Sequence, residues 1–359
     1  MLQALEGRVN NGAVLHATAR SMIRLLLAAS AAALLAPSLA GAQELTPVRF
    51  TLDWRFEGPA AGFLLAQERG YFEEAGVEVS IDVGNGSLEA IPRITTGTYQ
   101  MGFGDLNALI KFLDTNPDEP IEAVQIVYER PAFAVVGRAS QGVGEDPKSL
   151  EGKTLGAPPP DGAFAQWPAF VEVNDLDASA ITIESIGFPV REPMLAQGAV
   201  DAVFGFAFSV VLNLKAQGVQ EEDIVPILMA DHGLDLYGNA VMVNTTFAEE
   251  NPEAVRGVLA AITRGFKDAV ADPQAGAEAV LRANNILTLE TEVERLQMAN
   301  EMNIATAAVR ENGFGGVDEA KLARSIELLD LSVGLENPPA PDRVFDGQYL
   351  PPEADRMLD

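Results

Sequence analysis

The chain contains no cysteine. That absence removes thiol nucleophiles, disulfides, Cys-based metal centres and lipid attachment to a leading cysteine. Histidine is nearly as scarce, and beyond residue 42 only His232 remains. A Ser-His-Asp triad could be built only around it, yet it sits between Asp231 and Gly233 in a loop-like stretch that suits a surface residue. Positive charge is also short, with 24 Lys and Arg against 52 Asp and Glu and a net charge of −28. Residues 1–42 carry Arg8, Arg20 and Arg24 against Glu6, which leaves the remainder at −30. So acidic a surface repels phosphate backbones and anionic lipid, and speaks against nucleic-acid and membrane-surface partners.

Catalytic signatures are missing too. There is no G-x-S-x-G and no H-E-x-x-H. Gly84-Asn85-Gly86 sits between strand-like and helix-like segments as a dinucleotide fingerprint does, but Glu89 stands where the third glycine belongs and would oppose a pyrophosphate. Gly152-Lys153-Thr154 imitates the end of a P-loop, with Pro147 at its first glycine position. The expectation is no catalytic residue, no cofactor and no metal site.

Long apolar runs are absent except for a short one. Leu25–Leu35 follows Arg20 and Arg24 and is followed by Pro37 and Ala40-Gly41-Ala42. Basic flank, short apolar run and A-x-A site describe a secretory signal peptide spanning 1–42 and cut after Ala42. The run falls short of the roughly 20 residues a bilayer span needs. Met22 is an alternative start to Met1. The expected product is a periplasmic monomer with no membrane insertion.

What the chain does have is an alternation of strand-like and helix-like segments, the pattern of an α/β fold with mainly parallel sheets. Strands are expected at Val48–Leu52, Val77–Val83, Thr98–Phe103, Thr154–Ala157 and Ile181–Ile186. Helices are expected over Gly62–Glu68, from Ser87 to about Thr96 with Pro92 bending or delaying the start, and over Leu106–Leu113, Ala163–Val173 and Pro193–Gln197. Gly97–Gly104 and Gly198–Gly205 share the order helix, glycine, strand, glycine, which suits two lobes of similar build. Ala132–Arg138 and Asn239–Asn244 are strand-like and serve as candidate crossovers. Helices at Pro252–Ala271, Gln274–Asn284, Leu289–Arg310 and Asp318–Leu331 precede a Pro-rich stretch from Pro338 that is expected to wrap the surface. The resulting division is 43–133 with 239–340 as lobe I, 134–238 as lobe II and 341–359 as a tail.

In an open α/β sheet the crevice lies beyond the carboxyl ends of the strands. Those ends carry Asp53, Trp54, nearby Glu57, Gly84, Asn85, Gly86, Ser87, Gly104, Asp105, Tyr128, Glu129, Asp161, Gly162 and Phe188, then Phe206 and Phe208. Phe164 and Trp167 follow on the adjoining helix. The aromatic members offer faces for stacking and the carboxylates offer acceptors, while Arg55, Arg130 and Arg191 each adjoin an acid or an aromatic that could hold them. Each residue alone also has a structural explanation: Ser87 and Asp161 as N-caps, Trp54 and Phe206 as core, Gly104 as a turn. Together they suit a planar solute with N–H donors better than a sulfonate or nitrate, although helix starts leave an anion open.

Thr51-Leu52-Asp53-Trp54, Gly62–Ala66, Arg69-Gly70-Tyr71-Phe72 and Ala75–Val79 resemble the opening of periplasmic binding proteins of the sulfonate, nitrate and thiamine-precursor group. The likeness continues through Gly97–Asp105, Leu150–Lys153, Gly198–Asp201 and Asn239–Asn244. It implies a type II periplasmic-binding-protein fold: two α/β lobes joined by two crossing strands, with a solute bound in the cleft and released to the permease and ATPase of an ABC importer. By the same resemblance Asp53-Trp54 matches the thiamine-precursor branch, whose tryptophan packs on a pyrimidine, and Gly84–Ser87 matches a ligand-contacting loop. The fungal thiamine-pyrimidine synthases share this fold but use a cysteine-rich segment, which this chain lacks.

Overall fold

A computed structural model describes residues 45–358; the expected signal peptide, its cut after Ala42 and the alternative start lie outside the described residues. The strands are β1 (Thr46–Thr51), β2 (Val77–Asp82), β3 (Met101–Asp105), β4 (Ile121–Ile126), β5 (Phe133–Arg138), β6 (Thr154–Ala157), β7 (Thr182–Ser185), β8 (Ala202–Phe206), β9 (Ile224–Leu228) and β10 (Asn239–Asn244). They form two sheets of identical plan, β2-β1-β3-β10-β4 and β7-β6-β8-β5-β9. In each, β10 or β5 runs antiparallel to both neighbours while the other strands share one direction. The physical reason is the crossing. The chain leaves β4 at its carboxyl end and enters the second sheet as β5, then returns from β9 as β10. A strand that arrives at the carboxyl ends of its neighbours has to run away from them. The two glycine-flanked look-alikes become β3 and β8, the third strand in each plan.

Local departures from the expected pattern have local causes. β9 lies outside the expected strands, and its Pro226 is tolerated at the sheet edge, where a missing N–H costs no ladder bond. The first helices are α1 (Ala61–Glu68), α2 (Ser87–Thr95) and α3 (Leu106–Thr115). Pro92 neither delays nor stops α2, because the carbonyl it leaves unbonded belongs to Leu88, an exposed residue that water can serve. The expected helix over 163–173 is two, α4 (Gly162–Ala165) and α5 (Trp167–Val173), broken ahead of Pro168, with Lys111 Nζ bonded to the Ala165 carbonyl at the break. Then follow α6 (Arg191–Gln197), α7 (Ala207–Ala216), α8 (Pro252–Ala271), α9 (Pro273–Ala283) and α10 (Leu289–Ala299). The run expected to continue to Arg310 ends in a π turn at Asn300–Ile304, and Thr306 caps a new helix.

Phe50, Phe103 and Phe266 surround Phe63 at ring-centre distances of 5.3, 5.2 and 5.0 Å and anchor the core of the first sheet. α1 lies against α8 at a glycine crossing, where a Cβ on Gly265 would fall 2.0 Å from the Gly62 carbonyl. The tail does more than wrap the surface: Tyr349 and Leu358 are buried in that core. Phe345 bridges to Ala123 and Gly315 to Ile126, so the exposed edge of β4 is covered. No described helix is long and apolar enough to cross a membrane.

Candidate ligand-binding site

β1 delivers Asp53 to its carboxyl end, where it is buried. Its Oδ2 accepts from Ser87 Oγ at 2.8 Å and from Asn239 Nδ2 at 2.7 Å. Burial raises the Asp53 pKa to about 7, against the pull of those two hydrogen bonds and with a push from the Asp105 charge. Ser87 is the first residue of α2, and Gly86 before it adopts φ 109°. Any Cβ on Gly86 would meet the Pro160 carbonyl at 2.5 Å. Glycine is required there because the loops after β2 and β6, one from each sheet, touch.

From the second sheet come Asp161, Phe188 and Arg191. Asp161 caps α4, its Oδ1 accepting from Ala163 N at 2.8 Å and Phe164 N at 3.2 Å. Burial raises its pKa and the Arg191 charge opposes that rise. Arg191 is itself buried, paired to Glu192 at 2.6 Å and to Asp161 at 3.3 Å. Its guanidinium lies 5.9 Å from the Trp54 ring centre and 5.5 Å from that of Phe188. The Trp54 and Phe188 rings meet edge to face at 4.6 Å, aromatic to aromatic across the gap between sheets.

These groups line a small cavity of about 20 Å³, bordered by Asp53, Trp54, Ser87, Asp161, Arg191 and Phe206 among others. A second, of about 30 Å³, adjoins it through Asp53, Trp54 and Phe206 and is lined by Phe103, Tyr128, Phe208 and Glu57. Glu57 accepts from Ser209 Oγ at 3.2 Å and lies 3.7 Å from Arg295. Arg295, fully buried, also pairs with Glu292 at 3.1 Å and donates to the Phe208 carbonyl at 3.1 Å, tying the start of α7 to α10. Burial and the charges of Asp53 and Glu57 push the Tyr128 hydroxyl well above its usual pKa, so it stays a neutral phenol. Such a site presents aromatic walls and three carboxyl groups, Asp161 paired with Arg191, Glu57 beside Arg295, and Asp53 held by Ser87 and Asn239.

Of the residues singled out from sequence, Asp53, Trp54, Glu57, Gly86, Ser87, Tyr128, Asp161, Gly162, Phe188, Phe206 and Phe208 line one cavity or both. The others lie elsewhere. Gly84 packs on the Leu52 carbonyl and shapes the turn, and Asn85 is exposed. Gly104 is buried in β3 beneath Met242 and Ala90. Asp105 caps α3 through Asn107 N and Ala108 N and accepts from Gln166, while burial lifts its pKa to about 6. Glu129 pairs with Lys321 at 2.6 Å. Phe164 and Trp167 pack on Phe204 at 5.1 and 5.3 Å. His232 is half-buried with its ring edge-on to Phe170. Arg191 lines the first cavity, as does Ser209, and Arg55 lines the second. Ser209 could have been found as the first-turn hydroxyl of the helix after β8, and Asn239, which holds Asp53, as the first residue of a crossover strand.

The paired sheets, the two crossings and the cavity at the strand ends define a periplasmic-binding-protein fold. The profile of the NMT1/THI5-like family matches residues 59–276, and the chain belongs to that family. A riboflavin-binding protein, RibY of Chloroflexus aurantiacus, is 24% identical over 81% of this chain and 82% of its own. A formylaminopyrimidine-binding protein of Halalkalibacterium halodurans is 26% identical over 84% and 90%. A 4-amino-5-hydroxymethyl-2-methylpyrimidine phosphate synthase of Aspergillus parasiticus is 26% identical over 64% and 69%. Among solved structures, the aliphatic sulphonate-binding protein SsuA of Escherichia coli aligns with a TM-score of 0.65 at 13% identity, over 85% of this chain and 99% of that one. The nitrate-binding protein NrtA of Synechocystis gives 0.65 at 12%, over 86% and 88%.

Proposed function

We propose that the protein is the extracytoplasmic solute receptor of an ABC importer, that it binds a small planar nitrogen heterocycle between its sheets, and that it performs no chemistry of its own. One observation carries the reading: a buried carboxyl group, Asp53, fixed by Ser87 and Asn239 among Trp54, Phe188 and Phe206. With a pKa near 7 it can accept from a ring amino group when ionised or donate to a ring nitrogen when protonated. The relatives named for riboflavin and formylaminopyrimidine binding support the same class. A sulfonate or nitrate fits less well, since three carboxyl groups line the cavities against two arginines, Arg191, bound by Asp161 and Glu192, and Arg55, which lies over the Trp54 ring.

The receptor reading includes lobes at 43–133 with 239–340 and at 134–238, a periplasmic location after signal-peptide removal, a monomeric state, and permease and ATPase partners. Among the described residues no cluster of His, Cys, Asp and Glu is set to hold a metal. Calorimetric titration with 4-amino-5-hydroxymethyl-2-methylpyrimidine, riboflavin, cytosine, an alkanesulfonate and nitrate tests the class. Heat with at least one heterocycle and none with the two anions is expected. Binding of an anion alone would replace this reading with the anion-receptor one, and turnover of a heterocycle would replace it with an enzyme.

A further inference from the structure

Trp54 carries a polar atom that the protein leaves without a partner. Its indole Nε1–H is buried and has no acceptor within the described residues, although Trp54 lines both cavities. An indole N–H can only donate, and nearly all buried donors in folded proteins are paired. The other buried unpartnered side-chain atoms are amide oxygens of Asn and Gln, and Asn107, Gln125, Asn239, Asn300 and Asn303 each bond through the amide nitrogen. Trp54 has no second polar end.

The ring itself is already engaged. Phe188 meets it at 4.6 Å, and the guanidinium groups of Arg55 and Arg191 lie over it at 5.1 and 5.9 Å. What the protein leaves unpaired is the N–H edge. We propose that Trp54 selects the ligand through this donor, meeting a ring nitrogen or carbonyl oxygen of the heterocycle, rather than serving as a stacking plate. Asp53, the preceding residue, supplies the acceptor. The ligand edge that fits carries an acceptor beside an N–H donor, as in an aminopyrimidine or a lactam. The inference rests on the cavities being the ligand site.

The test compares 4-amino-5-hydroxymethyl-2-methylpyrimidine with its carbocyclic counterpart, (2-amino-4-methylphenyl)methanol, on the wild type and Trp54→Phe. Phenylalanine keeps the aromatic packing and removes the donor. The preference of the wild type for the pyrimidine is expected to fall roughly tenfold in the variant, the worth of one buried hydrogen bond. An unchanged preference overturns the proposal. A second readout uses the wild type alone. The chain has two tryptophans, so its nitrogen–proton NMR spectrum has two indole signals, and Trp167→Phe assigns them. On adding the pyrimidine the Trp54 signal is expected to move downfield, and a signal that stays put overturns the proposal even if Trp54→Phe fails to fold. If neither compound binds the wild type, the heterocycle reading falls and takes this inference with it. Binding of both with equal preference removes the Trp54 role alone.

Discussion

Asp53 shows how a single buried group ties stability to pH. Its pKa in the folded chain is about 7, above its ordinary value of 3.8, so between those pH values the folded state holds a proton that the unfolded state has lost. Stability therefore falls as pH rises from about 4 to about 7, and the loss is complete above the folded value. Asp53→Asn removes that loss. Thermal melts from pH 4 to pH 8 are expected to show the variant gaining on the wild type with rising pH, and a difference that is constant with pH would contradict the assignment. Arg191 is the opposite case. Arg191→Met strands Asp161 and Glu192 as buried acids without their cation, and denaturant melts are expected to show a loss of about 3–5 kcal/mol. Trp54→Ala, which removes both the donor and the ring, is expected to weaken ligand binding by about 1–3 kcal/mol in calorimetry. At this scale the sequence is ambiguous in one specific way. A polar residue just past a strand reads identically as ligand contact or helix cap, and Asp105 is a cap facing Gln166 while Asp161 is a cap that also lines the cavity. Only the pairing of the sheets separates the two.

Elements whose signal is local, such as the alternating β2 and the long amphipathic α8, are where the residue pattern puts them. Misplaced boundaries belong to features the pattern cannot see. Pro168 and the Lys111 bond split one helix, and the π turn at Asn300–Ile304 ends another. The packing of α1 on α8 was equally hidden, because it depends on two glycines far apart in sequence. Gly265→Ala should push the helices apart and cost about 1–3 kcal/mol, measured by denaturant unfolding. An unaffected midpoint would show that the crossing relaxes freely. The tail gives a second element-scale prediction. Ending the chain at Pro338 removes Tyr349 and Leu358 from the core and bares the edge of β4. That variant is expected to melt lower and to aggregate in light scattering, as exposed strand edges do.

For the whole molecule, the two sheets share one plan and the chain crosses between them twice, through residues 127–132 and 229–238. Contacts across the gap include Trp54 on Phe188, Gly86 under Pro160, Glu57 with Ser209, Asp105 with Gln166 and Arg295 with the Phe208 carbonyl. If the proposed lobes move as bodies about these two connections, a ligand bound to both sides favours the closed form. Small-angle scattering is expected to show the radius of gyration shrinking on ligand addition. The central claim is that closure traps a planar heterocycle against Asp53 and Trp54. A crystal structure of the complex with whichever heterocycle binds in calorimetry tests it most directly. That molecule is expected to lie between Trp54, Phe188 and Phe206 with a polar edge on Asp53. Density for it anywhere outside those two adjoining cavities, with Asp53 untouched, would rule out this binding mode.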